Sequence, residues 1–166
     1  MMKSGDPASP LLVETAASNA GLDARLVEKS LPDHKMTKVN RCVANVLQHY
    51  REHKLACQVI FMQRGLSDYR EVTVRTPSGD KKKVRVPALN LAKDIVGKLN
   101  EGGIPKEQIA IVDGSVSKEK RKEIADKMNK GIIRVVIGNT ETLGTGVNMQ
   151  ENLRAMHHLD APWMPG

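Results

Sequence analysis

The sequence predicts a three-layer α/β domain, a parallel sheet with helices on both faces and an inserted β-hairpin at about residues 70–86. Three observations carry this. Short apolar, β-branched runs recur at Gln58–Met62, Gln108–Val112 and Ile132–Ile137, as in strands buried on both faces. Segments with helical i, i+3, i+4, i+7 spacing alternate with them. Loops rich in Gly, Ser, Thr and Asn follow the runs directly, where open α/β sheets bind their ligands.

Residues 1–35 carry scattered Pro, Ser and Asp and read as a mostly irregular lead-in with one short helix, draped over a domain spanning 36–166. From Met36, the residues Val39, Cys42, Val43, Val46, Leu47 and Tyr50 form one apolar stripe, opposite Lys38, Arg41, Asn45, Gln48 and Arg51. That helix ends near His53-Lys54, and a strand follows at Gln58–Met62. Glu71–Arg75 and Lys82–Val86 both alternate apolar with polar residues around Thr76-Pro77-Ser78-Gly79-Asp80, a hairpin signature. Pro87 is expected to open the next helix, with Leu91, Ile95 and Leu99 inward and Gly102-Gly103 as its stop. After the strand to Val112, Ser117 is an N-cap for a helix to about Asn129, closed by Gly131. The run Ile132–Ile137 then delivers the loop Gly138–Asn148, and Leu153–Leu159 supplies a last strand.

The 166 residues suit one domain with its own core. Met1–Asp6 reads as an arbitrary start rather than a signal peptide, and no apolar run approaches a membrane-spanning length. Cys42 and Cys57 form no metal-type pair and read as reduced, in a cytoplasmic setting. A net charge of +7 points to an anionic partner, nucleic acid before membrane. With only Tyr50, Phe61, Tyr69 and Trp163 as aromatics, the phosphate backbone is a better target than stacked bases. The hairpin concentrates this charge in Arg70, Arg75, Lys81, Lys82, Lys83 and Arg85, against Glu71 and Asp80. Both a solvated insertion whose lysines blunt an edge strand and a DNA-backbone contact fit that pattern.

Stand-alone catalysis finds no support. There is no GxxxxGK[ST] phosphate loop, since Gly97-Lys98-Leu99 lacks the hydroxyl and falls mid-helix. No GxGxxG follows a strand, and GxSxG, HExxH and CxxC are absent. His157 and His158 are adjacent on a strand, point to opposite faces and read as structural. What remains is a set of loops at strand C-termini: Gln63-Arg64-Gly65, Asp113-Gly114-Ser115, Asn139–Asn148 and Asp160–Gly166. In a parallel sheet they share one edge, where hydroxyls, backbone amides and helix N-termini suit phosphate oxygens.

Val135–Met149 resembles motif V of superfamily 2 helicases, and its Gly144-Thr145-Gly146-Val147-Asn148-Met149 resembles the Swi/Snf-type DNA translocases. Gln58–Gln63 is similar to the motif IV strand, and Asp113–Arg121 to the Gly-Ser…Arg segment opening the next helix. Leu159–Pro165 is similar to an Asp-x-x-Trp-x-Pro element. The resemblance spans about residues 36–166. Leu22–Val27, Leu31–Asp33 and Lys38–Asn40 are further similar to the helicase part of helicase–DNA-methylase proteins of phages and mobile elements.

The resemblance implies the second RecA-like lobe of an ATP-dependent translocase. It implies DNA contacts from Gln63, Arg64, Gly114, Ser115, Thr140 and Thr142, to which the basic hairpin adds Lys81, Lys82, Lys83 and Arg85. It implies nucleotide contacts from Gly144, Gly146 and Asn148. Two plainer readings accompany these: capping or turn formation for Thr140 and Thr142, and a bond to its own backbone for Asn148. The implied partners are DNA and the N-terminal lobe of the same protein, which supplies ATP's Mg; no metal or catalytic residue of this chain is implied, and no tight ATP binding. Leu143 stands where translocases usually carry Gly. The expected Gln-x-x-Gly-Arg-x-x-Arg arginines, worth about 10³ to 10⁵ in rate, do not occur before Gly166. The 166 residues are therefore expected to be a fragment truncated before that motif, inactive as an ATPase alone. An RNA-helicase lobe and a non-catalytic nucleic-acid-binding or interaction module are the alternatives.

Overall fold

The structure, a computed structural model, describes residues 10–144 and 148–161. A four-stranded parallel sheet runs in the order β4-β5-β1-β6, formed by β1 (Cys57–Phe61), β4 (Ile109–Val112), β5 (Val135–Gly138) and β6 (Leu153–His158). The antiparallel pair β2 (Tyr69–Arg75) and β3 (Lys81–Pro87) stands as a separate hairpin. This is the predicted α/β arrangement.

Strand alternation divides the core in two. Ile60, Val135 and Ile137 pack with α2 (Lys38–Glu52) and α3 (Leu91–Glu101) on one face. Val59, Val112 and Val136 pack with Ile124, Ala125 and Met128 of α4 (Lys118–Asn129) on the other. Both central strands are thereby covered on both faces, which is why their sequences are apolar but for Gln58.

Two polar side chains inside this core are hydrogen-bonded. Gln58, in β1, is fully buried; its Nε2 donates to Val46 O at 3.0 Å, and its Oε1 lies 2.9 Å from His157 Nε2. Arg134 enters β5 buried, donating to Ala56 O and His53 O at 2.6 Å each, with its guanidinium 4.4 Å from the Tyr50 ring centroid. That side chain joins the end of α2 to the start of β5, since a buried cation must be bonded on its donors.

Four expectations are corrected. The lead-in is more helical than its composition suggests: α1 spans Pro10–Leu22, and Leu22 enters the core. Pro87 ends β3 rather than opening a helix; Asn90 caps α3, its side chain accepting from Lys93 N at 3.0 Å. The strand starts at Val135, although Ile133 and Arg134 before it are already buried. The segment after Gly138 opens as a short helix, α5 (Thr140–Gly144).

The lead-in is fastened by ion pairs. Arg25 reaches Asp23 at 2.8 Å and Asp94 of α3 at 2.9 Å, while Lys98 reaches Asp33 at 2.7 Å and Asp94 at 2.8 Å. Burial pushes the carboxyls of Asp23 and Asp33 up. Hydrogen bonds from Arg25 to Asp23, and from Lys98 and Asn40 to Asp33, outweigh it and leave both below the usual carboxylate range. Depressed carboxylates stabilise the fold above their unfolded pKa, and this is lost as pH falls from about 4 through the lower folded values. Arg25→Ala leaves buried Asp23 short of its partner and is expected to cost about 2–3 kcal/mol at neutral pH. Urea unfolding across pH should show that loss, together with a shallower acid-side decline in the variant.

Candidate functional site

The C-terminal ends of β4, β5 and β1 lie side by side, and their loops meet there. Gly138 ends β5 so close to β4 that a Cβ on it would lie 2.6 Å from Val112 O. Only glycine permits that approach. Asn139 then caps α5, its Oδ1 accepting from Thr142 N at 2.7 Å. Thr142 and Leu143 are buried, and the Thr142 hydroxyl donates to Val112 O at 3.1 Å. Leu143 packs with Val136 and Ile124. The departure from Gly at Leu143 thus has a physical reason: the side chain anchors α5 to the core.

Thr140 and Thr142 therefore differ in role. Thr140 is exposed, and its hydroxyl accepts from Gln63 Nε2 at 2.8 Å, linking the loops after β5 and β1. Thr142 is turned inward and committed to Val112, so its assignment to a DNA phosphate is corrected to a structural one. Gly144 ends α5 exposed. Gly146 lies outside the described residues, as do Trp163 and the rest of the Asp-x-x-Trp-x-Pro element after Ala161. Asn148 is exposed, and its carbonyl accepts from Asn129 Nδ2 at 2.8 Å.

Asp160 organises the neighbouring loop, a role the sequence does not reveal. Its carboxylate accepts from Gln63 N at 2.6 Å and Arg64 N at 3.2 Å, and lies 3.6 Å from Arg64 Nη1. Gln63 and Arg64 are thus held by a charge-assisted clamp, and Arg64 is partly neutralised. Asn129, also missed, fixes the loop entering β6: its Oδ1 accepts from Glu151 N at 3.4 Å and its carbonyl from Asn152 Nδ2 at 2.5 Å. Such amides give no periodic or motif signal.

Beyond β4, exposed Gly114 and Ser115 stand before the α4 N-terminus, where Ser117 caps the helix by accepting from Lys120 N at 3.2 Å. Two of the protein's own carboxylates occupy this region. Asp113 accepts from the Ser115 hydroxyl at 2.5 Å and Ser115 N at 2.9 Å, bonds that hold its carboxyl below the usual range. Glu119 turns back onto its own N–H and Ser117, which lowers its carboxyl as well. The donors of this region are thus already engaged by the protein's own anions.

The hairpin leaves the same sheet edge, inserted between the β1 loop and α3. Ala88 N donates to Asp68 O at 2.7 Å at its base, where Gly65, at φ +78, lies against Leu91. Its register opposes Glu71 to Arg85, Thr73 to Lys83 and Arg75 to Lys81. By the two-residue pleat, Arg75, Lys81, Lys83 and Arg85 share one face with Tyr69. Lys82 and Arg70 lie on the other, beside Val72, Val74, Val84 and Val86. The four hairpin cations expected to act together are therefore split: Lys82 points away from Lys81, Lys83 and Arg85.

A RecA-like α/β lobe with its loops gathered at one sheet edge is the class that fold and site define. The model of the helicase conserved C-terminal domain matches residues 71–166, more than half of the sequence, and the chain belongs to that family. The family and fold place it among the C-terminal lobes of superfamily 2 helicase-type proteins. The match starts within β2, so α2 and β1 precede it. No curated protein matches the chain.

The two threonines can be separated by stability. Thr142→Val removes a buried hydroxyl bond and is expected to cost about 1–2 kcal/mol, whereas Thr140→Ala should stay within about 0.5 kcal/mol of wild type. Denaturant midpoints of the two variants check this.

Proposed function

We propose that this chain is the C-terminal lobe of an ATP-driven, Swi/Snf-like DNA translocase, of the kind joined to DNA methylases in phages and mobile elements. The observation that carries the reading is the Gln63–Thr140 hydrogen bond, with Asp160 clamping Gln63 and Arg64. It joins the segments similar to motifs IV and V into one surface, from which the basic hairpin also extends. Gln63, Arg64 and Thr140 contact the DNA backbone there, and Gly114 and Ser115 take a neighbouring phosphate after Asp113 yields the Ser115 donors. Gly144, Gly146 and Asn148 form one wall of a cleft for ATP, whose Mg and phosphate loop come from the N-terminal lobe. Closing of the two lobes on ATP shifts the grip on DNA.

The narrower methylase-linked likeness rests on the segments Leu22–Val27, Leu31–Asp33 and Lys38–Asn40. Asp23, Arg25, Asp33 and Asn40, all within the segments that carry it, are members of the network fastening the lead-in to α3. Gly-x-Gly-Val-Asn-Met and Trp163 support DNA over RNA by sequence. No helix among the described residues is long and apolar enough to cross a membrane.

Fluorescence anisotropy with a labelled duplex tests the reading. Binding should weaken with salt, and removing one phosphate-binding cation should reduce the log–log slope by about 0.9. The Lys81→Ala/Lys83→Ala pair should lower the slope by about 2, Lys82→Ala should change it less, and Thr140→Ala should weaken binding. Salt-independent binding, or none, favours a scaffold module; preference for single-stranded RNA favours an RNA-helicase lobe. The purified chain should show no ATP turnover with or without DNA.

A further inference from the structure

The last turn of α2 and its C-cap carry His49-Tyr50-Arg51-Glu52-His53, which sets two imidazoles and a carboxylate at i, i+3 and i+4 where the helix gives way to extended chain at His53. One ligand-type atom from each of His49, Glu52 and His53 lies within 4.8 Å of the others. The His49 and His53 rings stack at 6.5 Å between centroids, with 18° between planes. The Nδ1 of His49 is buried and has no hydrogen-bond partner among the described residues. An orphaned buried nitrogen in a polar cluster calls for a water or an ion. Glu52 is held by one contact, accepting from Gln48 Nε2 at 2.8 Å through Oε1. Its second oxygen is the one available to a cation.

We propose that His49, Glu52 and His53 bind a divalent transition-metal ion of the zinc class. Imidazole with carboxylate selects this class over Mg²⁺ or Ca²⁺, which take oxygen ligands. Tetrahedral coordination at about 2.0–2.1 Å requires the donors to close to roughly 3.3 Å apart. Side-chain rotations of exposed Glu52 and of the half-buried His49 and His53 supply that movement. The C-terminal end of a helix favours a cation through its exposed carbonyls. Arg134, which bonds the His53 carbonyl, opposes the added charge, and Glu52 offsets it. His157, 6.1 Å from His49 between ring centroids, is held by Gln58 and lies beside the site rather than in it. The ion fixes the end of α2 where the chain turns into β1. It is unrelated to nucleotide chemistry, so the proposal stands or falls independently of the translocase reading.

The test is calorimetric titration of the untagged 166-residue protein with ZnCl₂, paired with Co²⁺ absorption in the visible and a thermal melt with and without zinc. One ion per chain should bind, with tetrahedral Co²⁺ bands and a raised melting temperature. Partners outside a coordination shell typically change affinity by about 10- to 100-fold, so losing a ligand should weaken binding at least as much. His49→Gln and His53→Gln should therefore abolish the Co²⁺ bands, while exposed Glu52→Gln, which leaves the fold intact, should weaken binding by about tenfold or more. His34→Gln and His158→Gln should bind as wild type. The proposal is overturned by absent binding, by unchanged binding in Glu52→Gln and His53→Gln, or by loss in His34→Gln or His158→Gln.

Discussion

The burial of β1 and β5 on both faces is the constraint on which the molecule depends. A strand with no solvent face needs helices above and below it. Parallel strands provide this, because each crossover returns the chain over one face. Here α3 crosses one face and α4 the other. Once the strands are parallel, every C-terminal end lies on the same edge. The loops after β4, β5 and β1 are thus brought to one edge by the topology itself.

The edge is then tightened by a few polar contacts. Val112 O receives the Thr142 hydroxyl and lies against Gly138, which draws the ends of β4 and β5 together. Asp160, after β6, reaches across to the backbone of Gln63 and Arg64 after β1. Gln63 in turn reaches Thr140 after β5. The result is a surface whose side chains are tied to one another by the buried Thr142 bond, the charge-assisted Asp160 bonds and the exposed Gln63–Thr140 bond. Donors held in this way lose little entropy on contact with a partner.

Much of the fold was legible because burial writes a period into sequence. The stripe Val39–Tyr50 and the runs at Gln58–Met62 and Ile132–Ile137 became α2, β1 and β5 with small shifts at their ends. The hairpin was legible from alternation around a Pro-Ser-Gly-Asp turn. Ser117 was readable as a cap because capping is local chemistry. The lead-in's one short helix was expected, but its place and its 13-residue length over Pro10–Leu22 were not, since that sequence shows no apolar period. Nor was α5: Thr140–Gly144 looks like a loop until Asn139 is seen capping it and Leu143 filling the core. The split between Thr140 and Thr142 depends on which side chain faces Val112, a three-dimensional fact. Asp160 and Asn129 act across 97 and 22 residues of chain separation, respectively, and no local pattern marks such contacts.

The central claim is that the edges after β1, β4 and β5 form one nucleic-acid surface. An NMR titration of the ¹⁵N-labelled protein with a short DNA duplex addresses it most directly. The account predicts that amide signals of Gln63, Arg64, Gly114, Ser115 and Thr140 shift together along one binding curve, with Lys81 and Lys83 of the hairpin moving with them. Shifts confined to the hairpin, or to the opposite end of the sheet, would contradict it.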